Sequence, residues 1–224
     1  MEKLLDGYQR FREGVWPGQR ALFEALAKGQ RPNTLVVSCI DSRVDPALVF
    51  DADPGEMLVI RNVANLVPPY APDNAHHSTS ASLEFGVKVL NIPHIIVMGH
   101  GQCGGVHALL VGAPANAQDF IAPWMSIAKN ARTLALQCDP ADRQQNCEHE
   151  VVRIALANLL TYPWIMERVE TGRIKLHGAW LNIGTGELML LQPDNSFALV
   201  GQAIPKTARN PASRRPRATV PLPS

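Results

Sequence analysis

The chain has 224 residues, of which 46% are hydrophobic and 18% are charged, and its formal net charge is +1. This length and composition are typical of a globular protein that forms one large domain or two small ones around a sizeable core. Five basic residues follow the last acidic residue, Asp194, so residues 1–205 carry a net charge of −4. That charge gives no electrostatic footprint for nucleic acid, and we expect no nucleic-acid partner.

The apolar patterns alternate between helix and strand along the chain. Residues 8–28 predict a helix interrupted at Pro17-Gly18. Short runs rich in β-branched residues predict strands at 34–39, 57–60 and 94–99, and helical spacing predicts helices at 78–90, 106–112, 120–137 and 147–161. Residues 173–191 predict a strand, a turn and a further strand. Together they predict an α/β fold with a mainly parallel sheet flanked by helices and an antiparallel or edge strand at its end.

The ends of the chain and its cysteines indicate in which cellular compartment the protein is expected. No stretch approaches the roughly 20 apolar residues of a membrane span, and the N-terminus lacks the apolar segment of a secretion signal, so we expect no membrane partner. Cysteine occurs at four scattered positions, too few for a disulfide scaffold, which favours a reducing cytoplasm. Residues 206–224 are basic and rich in proline, and we expect them to form a flexible tail after a single domain at 1–205.

Two predicted strands end in residues that bind metals. Cys39 ends the first strand, and His100 follows the third, with Cys103 three positions later. Because parallel strands place their carboxyl ends at one edge of a sheet, these side chains meet if the two strands are neighbours. Two thiolates and one imidazole are ligands that zinc takes tetrahedrally, and three protein ligands leave a fourth position for water. This pattern is typical of a catalytic zinc site.

Each of these residues also has a plainer interpretation. Alone, Cys39 is more typical of a buried apolar side chain, and His100 of a hydrogen-bonded turn residue. Their combination, with four glycines around His100 and Cys103, favours a metal site. Asp41 and Arg43 form either an exposed ion pair contributing about 0–1 kcal/mol, or a pair in which the guanidinium orients the carboxylate toward a metal-bound water.

Three segments carry a specific family resemblance. Residues 39–44 resemble the Cys-x-Asp-Ser-Arg-Val signature of β-class carbonic anhydrases, and residues 99–105 resemble their Gly-His-x-x-Cys-Gly-Gly signature. Residues 61–65 resemble the Arg-Asn-Xaa-Ala-Asn segment that lies between the two. The resemblance extends over roughly residues 5–205. It implies zinc-dependent reversible hydration of carbon dioxide to bicarbonate and a proton, by a zinc-bound hydroxide.

The resemblance also implies how the molecule is built. One zinc ion per subunit is expected on Cys39, His100 and Cys103. Homodimers or multiples of dimers are expected, with the N-terminal helices packed on a partner subunit and the active sites at the dimer interface. Asp41 and Arg43 are implied as catalytic residues. The implied substrate-binding residues are Gln30, the backbone N–H of Gly104, and the apolar walls Val63, Leu58 and Phe85.

One branch of the family closes its site with aspartate on zinc and binds a regulatory bicarbonate through Trp, Arg and Tyr side chains. The Trp and Tyr positions of that branch are Val36 and Leu181 here, so only Arg61 remains. The resemblance therefore favours the plant-like branch, with an open site and no bicarbonate switch. No histidine is assigned as a proton shuttle.

Two other functions stay open at the level of sequence. The same scaffold and zinc site serve hydrolases of carbonyl sulfide or carbon disulfide, which differ in pocket shape and are separated by comparing turnover of the three substrates. A non-catalytic zinc or thiol sensor would use Cys39 and Cys103. Asp41, Arg43 and Gln30 argue against a sensor, because a sensor needs neither a carboxylate to orient water nor a substrate donor.

Overall fold

A computed structural model describes residues 1–73 and 75–201 and contains a six-stranded sheet. The strands are β1 (Thr34–Cys39), β2 (Met57–Asn62), β3 (His94–His100), β4 (Lys175–Leu181), β5 (Leu188–Leu191) and β6 (Phe197–Leu199). Their spatial order is β2-β1-β3-β4-β5-β6; β1 to β4 are parallel, and β5 and β6 are antiparallel to their neighbours. The predicted mainly parallel sheet with an antiparallel or edge strand at its end is confirmed, although β6 was not predicted. The predicted tail at 206–224 lies outside the described residues.

The described part of the chain also contains nine α-helices. They are α1 (Glu2–Arg10), α2 (Trp16–Leu26), α3 (Pro46–Val49), α4 (Ser78–Glu84), α5 (Gly104–Val111), α6 (Ile121–Met125), α7 (Lys129–Ala135), α8 (Arg143–Leu159) and α9 (Pro163–Glu170). The helix α4 continues as a π-helical turn, Phe85–Val89. None of these described helices combines the length and the apolar character needed to span a bilayer.

The single helix predicted over residues 120–137 is wrong. It is divided into α6, a 3₁₀ turn at Ser126–Ala128, and α7. The Ser126 hydroxyl donates a hydrogen bond of 2.7 Å to the Pro123 carbonyl. Side-chain bonds of this kind occupy backbone acceptors that a continuous helix would use, and they favour a break.

The N-terminal segment is helical throughout residues 2–26. The predicted interruption at Pro17-Gly18 occurs one turn earlier, as a π-helical turn at Phe11–Val15, and Pro17 lies in the first turn of α2 that follows it. None of the residues in α1, the π turn or α2 is buried. This segment, which we call the N-terminal arm, therefore contributes no fully buried side chain to the core of its own chain.

The two faces of the sheet are covered to different extents. One face packs against α4, α8 and α9, and Leu35, Val37, Ile95 and Val97 are fully buried there. On the opposite face Val36 and Met98 are buried near the short helix α3, but Val59 remains 41% exposed and His177 is exposed. The second face is therefore only partly covered within one chain.

The order of the strands positions the candidate site. The chain passes from β1 to β2 on one side and then to β3 on the other side of β1. Sites in open parallel sheets form where the strand order reverses in this way, at the carboxyl ends. Ser38 pairs with Met98 in the register of β1 and β3, so Cys39 and His100 reach the same edge of the sheet.

We expect Gly99→Ala to destabilise the fold by about 1–3 kcal/mol, because an added Cβ would lie 2.8 Å from Val152 Cγ2 on α8. Removing the opposing methyl groups with Val152→Ala makes room for it. The double variant should therefore lose less stability than the sum of the two single variants, as measured by urea unfolding. Strict additivity would show that the two positions do not determine how α8 packs on β3.

Candidate metal centre

The three predicted metal ligands converge at the carboxyl edge of the sheet. The ligand atoms of Cys39, His100 and Cys103 all lie within 4.8 Å of one another, and all three residues are buried. The two sulfur atoms are 3.9 Å apart. A separation of this size allows both sulfurs to bind one zinc ion at the usual Zn–S distance of about 2.3 Å.

The imidazole of His100 is oriented for a metal. Its Nδ1 lies 2.9 Å from the carbonyl oxygen of Gly101, and because a carbonyl only accepts, Nδ1 carries the proton. Nε2 then has its lone pair free, and it is buried without a hydrogen-bond partner among the described residues. A histidine that ligates zinc through one nitrogen and donates from the other has this arrangement. The donor set therefore fits zinc.

Backbone N–H groups favour the thiolate form of both cysteines. The contact with Cys103 lowers the pKa of Cys39 despite its burial, and the backbone N–H groups of Asp41 and Ala64 act in the same direction. The contact with Cys39, together with burial, raises the pKa of Cys103, although the N–H groups of Gly105 and Val106 act in the opposite direction. Metal binding requires both thiols to be deprotonated, so a bound cation would favour the thiolate form of both cysteines.

Asp41 and Arg43 form a tight pair beside the three ligands. The guanidinium donates from Nε to Oδ1 (2.9 Å) and from Nη2 to Oδ2 (2.7 Å), and the backbone N–H of Arg43 also donates to Oδ1 (3.0 Å). Nη2 reaches the carbonyl of Gln102 as well, at 3.0 Å. These bonds hold the pKa of Asp41 well below its usual range. The carboxylate lies with Oδ2 3.9 Å from Nε2 of His100.

Arg61 has a structural role at the metal centre that the sequence did not reveal. Its guanidinium donates to the carbonyls of Cys39 (3.0 Å), Asp41 (2.6 Å) and Val44 (2.9 Å). A single side chain on β2 thus fixes the segment that follows β1. Three carbonyls satisfied by one guanidinium hold both the first ligand and the catalytic candidate in place.

The predicted substrate-binding residues do not all lie in one cavity. Leu58 and Phe85 line the same apolar groove of about 360 Å³. Gln30 instead lines a cleft of about 380 Å³ next to Leu26 and Gly55, in the connection between α2 and β1. Residues 100–105 contain His100 and Cys103, and we call them the metal loop. Val63 packs against this loop, because a Cβ on Gly105 would lie 2.7 Å from its Cγ1.

Gly104 is the first residue of α5, immediately after the ligand Cys103. The first N–H groups of a helix have no partner within the helix and are available to a ligand. Val36 is fully buried in the sheet, and Leu181 is buried near the metal loop, where its carbonyl accepts from the N–H of Gly101 at 2.8 Å. Both positions are therefore apolar in the structure.

Glu148 on α8 is a further polar residue that sequence reasoning missed. Its side chain is buried behind the metal loop, and its Oε1 accepts the backbone N–H of Cys103 at 3.0 Å. A signal was present in the sequence, because Glu148 shares a helical face with Val151, Val152 and Ala155, all of which are buried. A carboxylate on an apolar helix face needs a specific set of donors.

Comparisons with known proteins identify the family of the chain. A family model described as "Carbonic anhydrase" matches residues 34–188. The chain is 35% identical to "Beta carbonic anhydrase 3" of Arabidopsis thaliana over 202 residues, which cover 87% of this chain and 78% of that protein. Among solved structures, the β-carbonic anhydrase CcaA matches with a TM-score of 0.83 and 34% identity, covering 89% of this chain and 98% of that chain.

A second solved structure, from the filamentous ascomycete Sordaria macrospora, belongs to a report of two tetrameric β-carbonic anhydrases. It matches with a TM-score of 0.76 and 26% identity, and the match covers 85% of this chain and 95% of that chain. The family match extends over more than half of the chain, and the buried Cys39, His100 and Cys103 form a candidate zinc site. The chain therefore belongs to the β-class carbonic anhydrases, zinc enzymes that hydrate carbon dioxide to bicarbonate.

Proposed function

We propose that this carbonic anhydrase uses Asp41, held by Arg43, to orient the reacting water. The observation that carries this proposal is the set of hydrogen bonds on the carboxylate. Oδ1 accepts two N–H groups of Arg43, whereas Oδ2 accepts only one and lies 3.9 Å from the metal-facing nitrogen of His100. A carboxylate oxygen accepts about two hydrogen bonds, so Oδ2 keeps one lone pair for the water.

Zinc, when bound, lowers the pKa of a coordinated water from about 15.7 toward 7. The residues of the chain then determine how carbon dioxide meets that water. Asp41 would accept a hydrogen bond from an O–H of this water. That bond would orient a lone pair of the water oxygen toward the carbon atom of carbon dioxide. The N–H of Gly104 donates to the substrate oxygen on which negative charge develops, as such donors do in other enzymes.

The apolar carbon dioxide molecule is expected to approach along the groove lined by Leu58 and Phe85, with Val63 closing it toward the metal loop. Gln30 lies in a separate cleft of the same chain. If Gln30 donates to substrate as the family resemblance implies, it does so most directly from a second copy of the chain. An active site at a dimer interface accounts for this separation.

We also propose that the site stays in the open form, without a bicarbonate switch. Asp41 is satisfied by Arg43 and is not free to take a position on zinc without breaking three hydrogen bonds. Arg61 is engaged by three carbonyls. Val36 and Leu181 supply no polar group for a regulatory anion.

A homodimer, or a multiple of dimers, is proposed from two unpartnered apolar surfaces. The N-terminal arm exposes large apolar side chains, including Leu4 (73% exposed) and Tyr8 (59%). The edge beside the metal centre exposes Ile40, Val59 and Phe85. Residues 1–31 carry a net charge of +2 and residues 32–205 carry −6, so the arm and the body of a second copy also attract each other. The tetrameric relatives from Sordaria macrospora support such an assembly.

We infer that the protein works in a reducing compartment, the cytoplasm. All four cysteines are free, and three of them are buried. Disulfide bonds are rare in the cytoplasm, where thiols are kept reduced. The 3.9 Å separation of the Cys39 and Cys103 sulfurs adds to this inference, because an oxidising compartment would favour a bond between them and the loss of both ligands.

The role of Asp41 is tested by removing its carboxylate. We expect Asp41→Ala to lower kcat for carbon dioxide hydration by about 100-fold or more while zinc content stays unchanged, because the carboxylate orients water and does not hold the metal. Stopped-flow hydration assays and metal analysis of the same sample measure both. Asp194→Ala, on the turn before β6 at the far end of the sheet, is the matched control and should retain full activity. Unchanged turnover in Asp41→Ala would refute the role of Asp41.

The rate of carbon dioxide hydration should depend on pH. Two thiolates neutralise the formal +2 charge of zinc, so the bound water should be less acidic than at a three-histidine site. Hydration activity should therefore rise from about pH 6 to about pH 9 in the fully loaded enzyme. Arg43 lowers the pKa of Asp41, so Asp41 stays ionised over this range and does not produce the rise. A flat pH–rate profile with zinc fully bound would contradict this explanation.

The proposed dimer is tested by charged substitutions in the N-terminal arm. We expect Leu4→Glu and Tyr8→Glu to shift the protein toward monomers in sedimentation velocity, and to lower activity in parallel, because the arm then loses its apolar contact with a second copy. Val111→Glu is the control, since Val111 is equally exposed (69%) but lies at the end of α5. An unmodified protein that sediments as a fully active monomer would overturn the dimer proposal.

A further inference from the structure

Behind the metal loop lies a carboxylate that the reaction scheme does not use. Glu148 is only 2% exposed, and it is the one Asp or Glu that is buried within residues 1–73 and 75–201. Among the ion pairs of these residues, none includes Glu148. A buried carboxylate without a Lys or Arg partner is unfavourable unless other donors satisfy it. Its surroundings therefore point to a specific role.

Three neutral N–H donors surround Glu148. Its Oε1 accepts from the backbone N–H of Cys103 (3.0 Å) and from Nε2 of Gln144 (2.8 Å), and its Oε2 accepts from Nε1 of Trp180 (3.1 Å). Burial raises the pKa of Glu148, and these three donors oppose that effect. Because every partner is a donor, the geometry matches a carboxylate that accepts on both oxygens.

These contacts join three separate parts of the molecule at one ligand. Cys103 belongs to the metal loop, Gln144 to α8 and Trp180 to β4. Gln144 also donates to the carbonyl of Cys103 at 3.2 Å, so side chains of α8 bind both backbone groups of this ligand. Trp180 packs on the same loop, because a Cβ on Gly101 would lie 3.2 Å from its Cζ2. The carboxylate of Glu148 and its donors thus fix the position of the metal loop.

We propose that Glu148 is the positioning residue for the third zinc ligand. By holding the backbone of Cys103, it keeps that sulfur 3.9 Å from the sulfur of Cys39 and ready to bind the metal. This inference rests on the zinc site of the proposed function, but it concerns metal retention and not hydration itself.

The test is Glu148→Gln. Glutamine keeps the size of the side chain but replaces one accepting oxygen with an NH₂ group, which cannot accept from Cys103 or Trp180. Residues that orient metal ligands from behind typically change metal affinity by about 10–100-fold. We therefore expect zinc to leave Glu148→Gln about tenfold faster or more when a chelator is added to the loaded protein. The sulfur-to-cobalt absorption of the cobalt-substituted protein should also shift.

Glu150→Gln is the matched control. Glu150 is two positions along the same helix, and its carboxylate pairs with Arg153 at 2.5 Å. The same substitution there should leave zinc release and the cobalt spectrum unchanged. If instead Glu148→Gln and Glu150→Gln release zinc at the rate of the unmodified protein, Glu148 is an ordinary core residue and the proposal is overturned.

The Tm of the metal-free proteins distinguishes a general loss of stability from a specific effect on zinc binding. A purely structural role predicts that Glu148→Gln lowers the Tm of the metal-free protein and leaves the rate of zinc release unchanged, which would overturn the proposal. Should Glu148→Gln fail to fold, Gln144→Met is measured in the same way, because it removes a donor to Cys103 and to Glu148 while leaving the carboxylate. Unchanged zinc release in folded Gln144→Met would equally overturn it.

Zinc content and hydration by the unmodified protein separate this inference from the proposed function. An unmodified protein that binds one zinc ion but does not hydrate carbon dioxide refutes the roles given to Asp41 and Gly104. The zinc-release comparison of Glu148→Gln with Glu150→Gln then still decides the role of Glu148. An unmodified protein that binds no zinc refutes both.

Discussion

The metal centre depends on holding two buried sulfur atoms 3.9 Å apart. As thiolates at this distance they repel each other, and away from water that repulsion is strong. A divalent cation removes it, which is why the stability of the loop and the binding of zinc are parts of one equilibrium. The sheet supplies the positions, because β1 and β3 are neighbours although Cys39 and His100 are 61 positions apart in the chain. The surrounding contacts serve to keep these sulfurs in place.

Two carboxylates near the centre are held in opposite ways. Asp41 is paired with a guanidinium that is itself open to solvent, so its charge is secured by an opposite charge. Glu148 has only neutral N–H donors and lies in the core. The first arrangement tolerates water and suits a group that meets substrate. The second excludes water and suits a group that fixes a backbone, because any movement leaves buried donors unsatisfied.

The sequence predicted the parts of the fold that local patterns encode. Runs of β-branched residues identified three of the four parallel strands, β1, β2 and β3, to within a few residues, and the glycine-rich segment around His100 identified the metal loop. Breaks that depend on a single hydrogen bond escaped this reasoning, as at Ser126, where a hydroxyl captures a helix carbonyl. The carbonyl contacts of Arg61 and the contact of Glu148 with Cys103 escaped it too, since each joins residues 17 or more positions apart. Such contacts follow from packing and leave no short motif.

The placement of Gln30 shows what a motif cannot convey about a substrate pocket. Its position relative to Cys39 implied a place beside the metal, yet within one chain it lies in a different cleft from Leu58 and Phe85. The three candidate zinc ligands, by contrast, all come from one chain, and their ligand atoms converge without a contribution from a second copy. On the dimer proposal, metal binding is therefore a property of the single chain, whereas substrate binding is a property of the assembly. A dissociated subunit would then keep its zinc and lose its turnover, because the groups that hold the metal and those that surround the substrate are supplied separately.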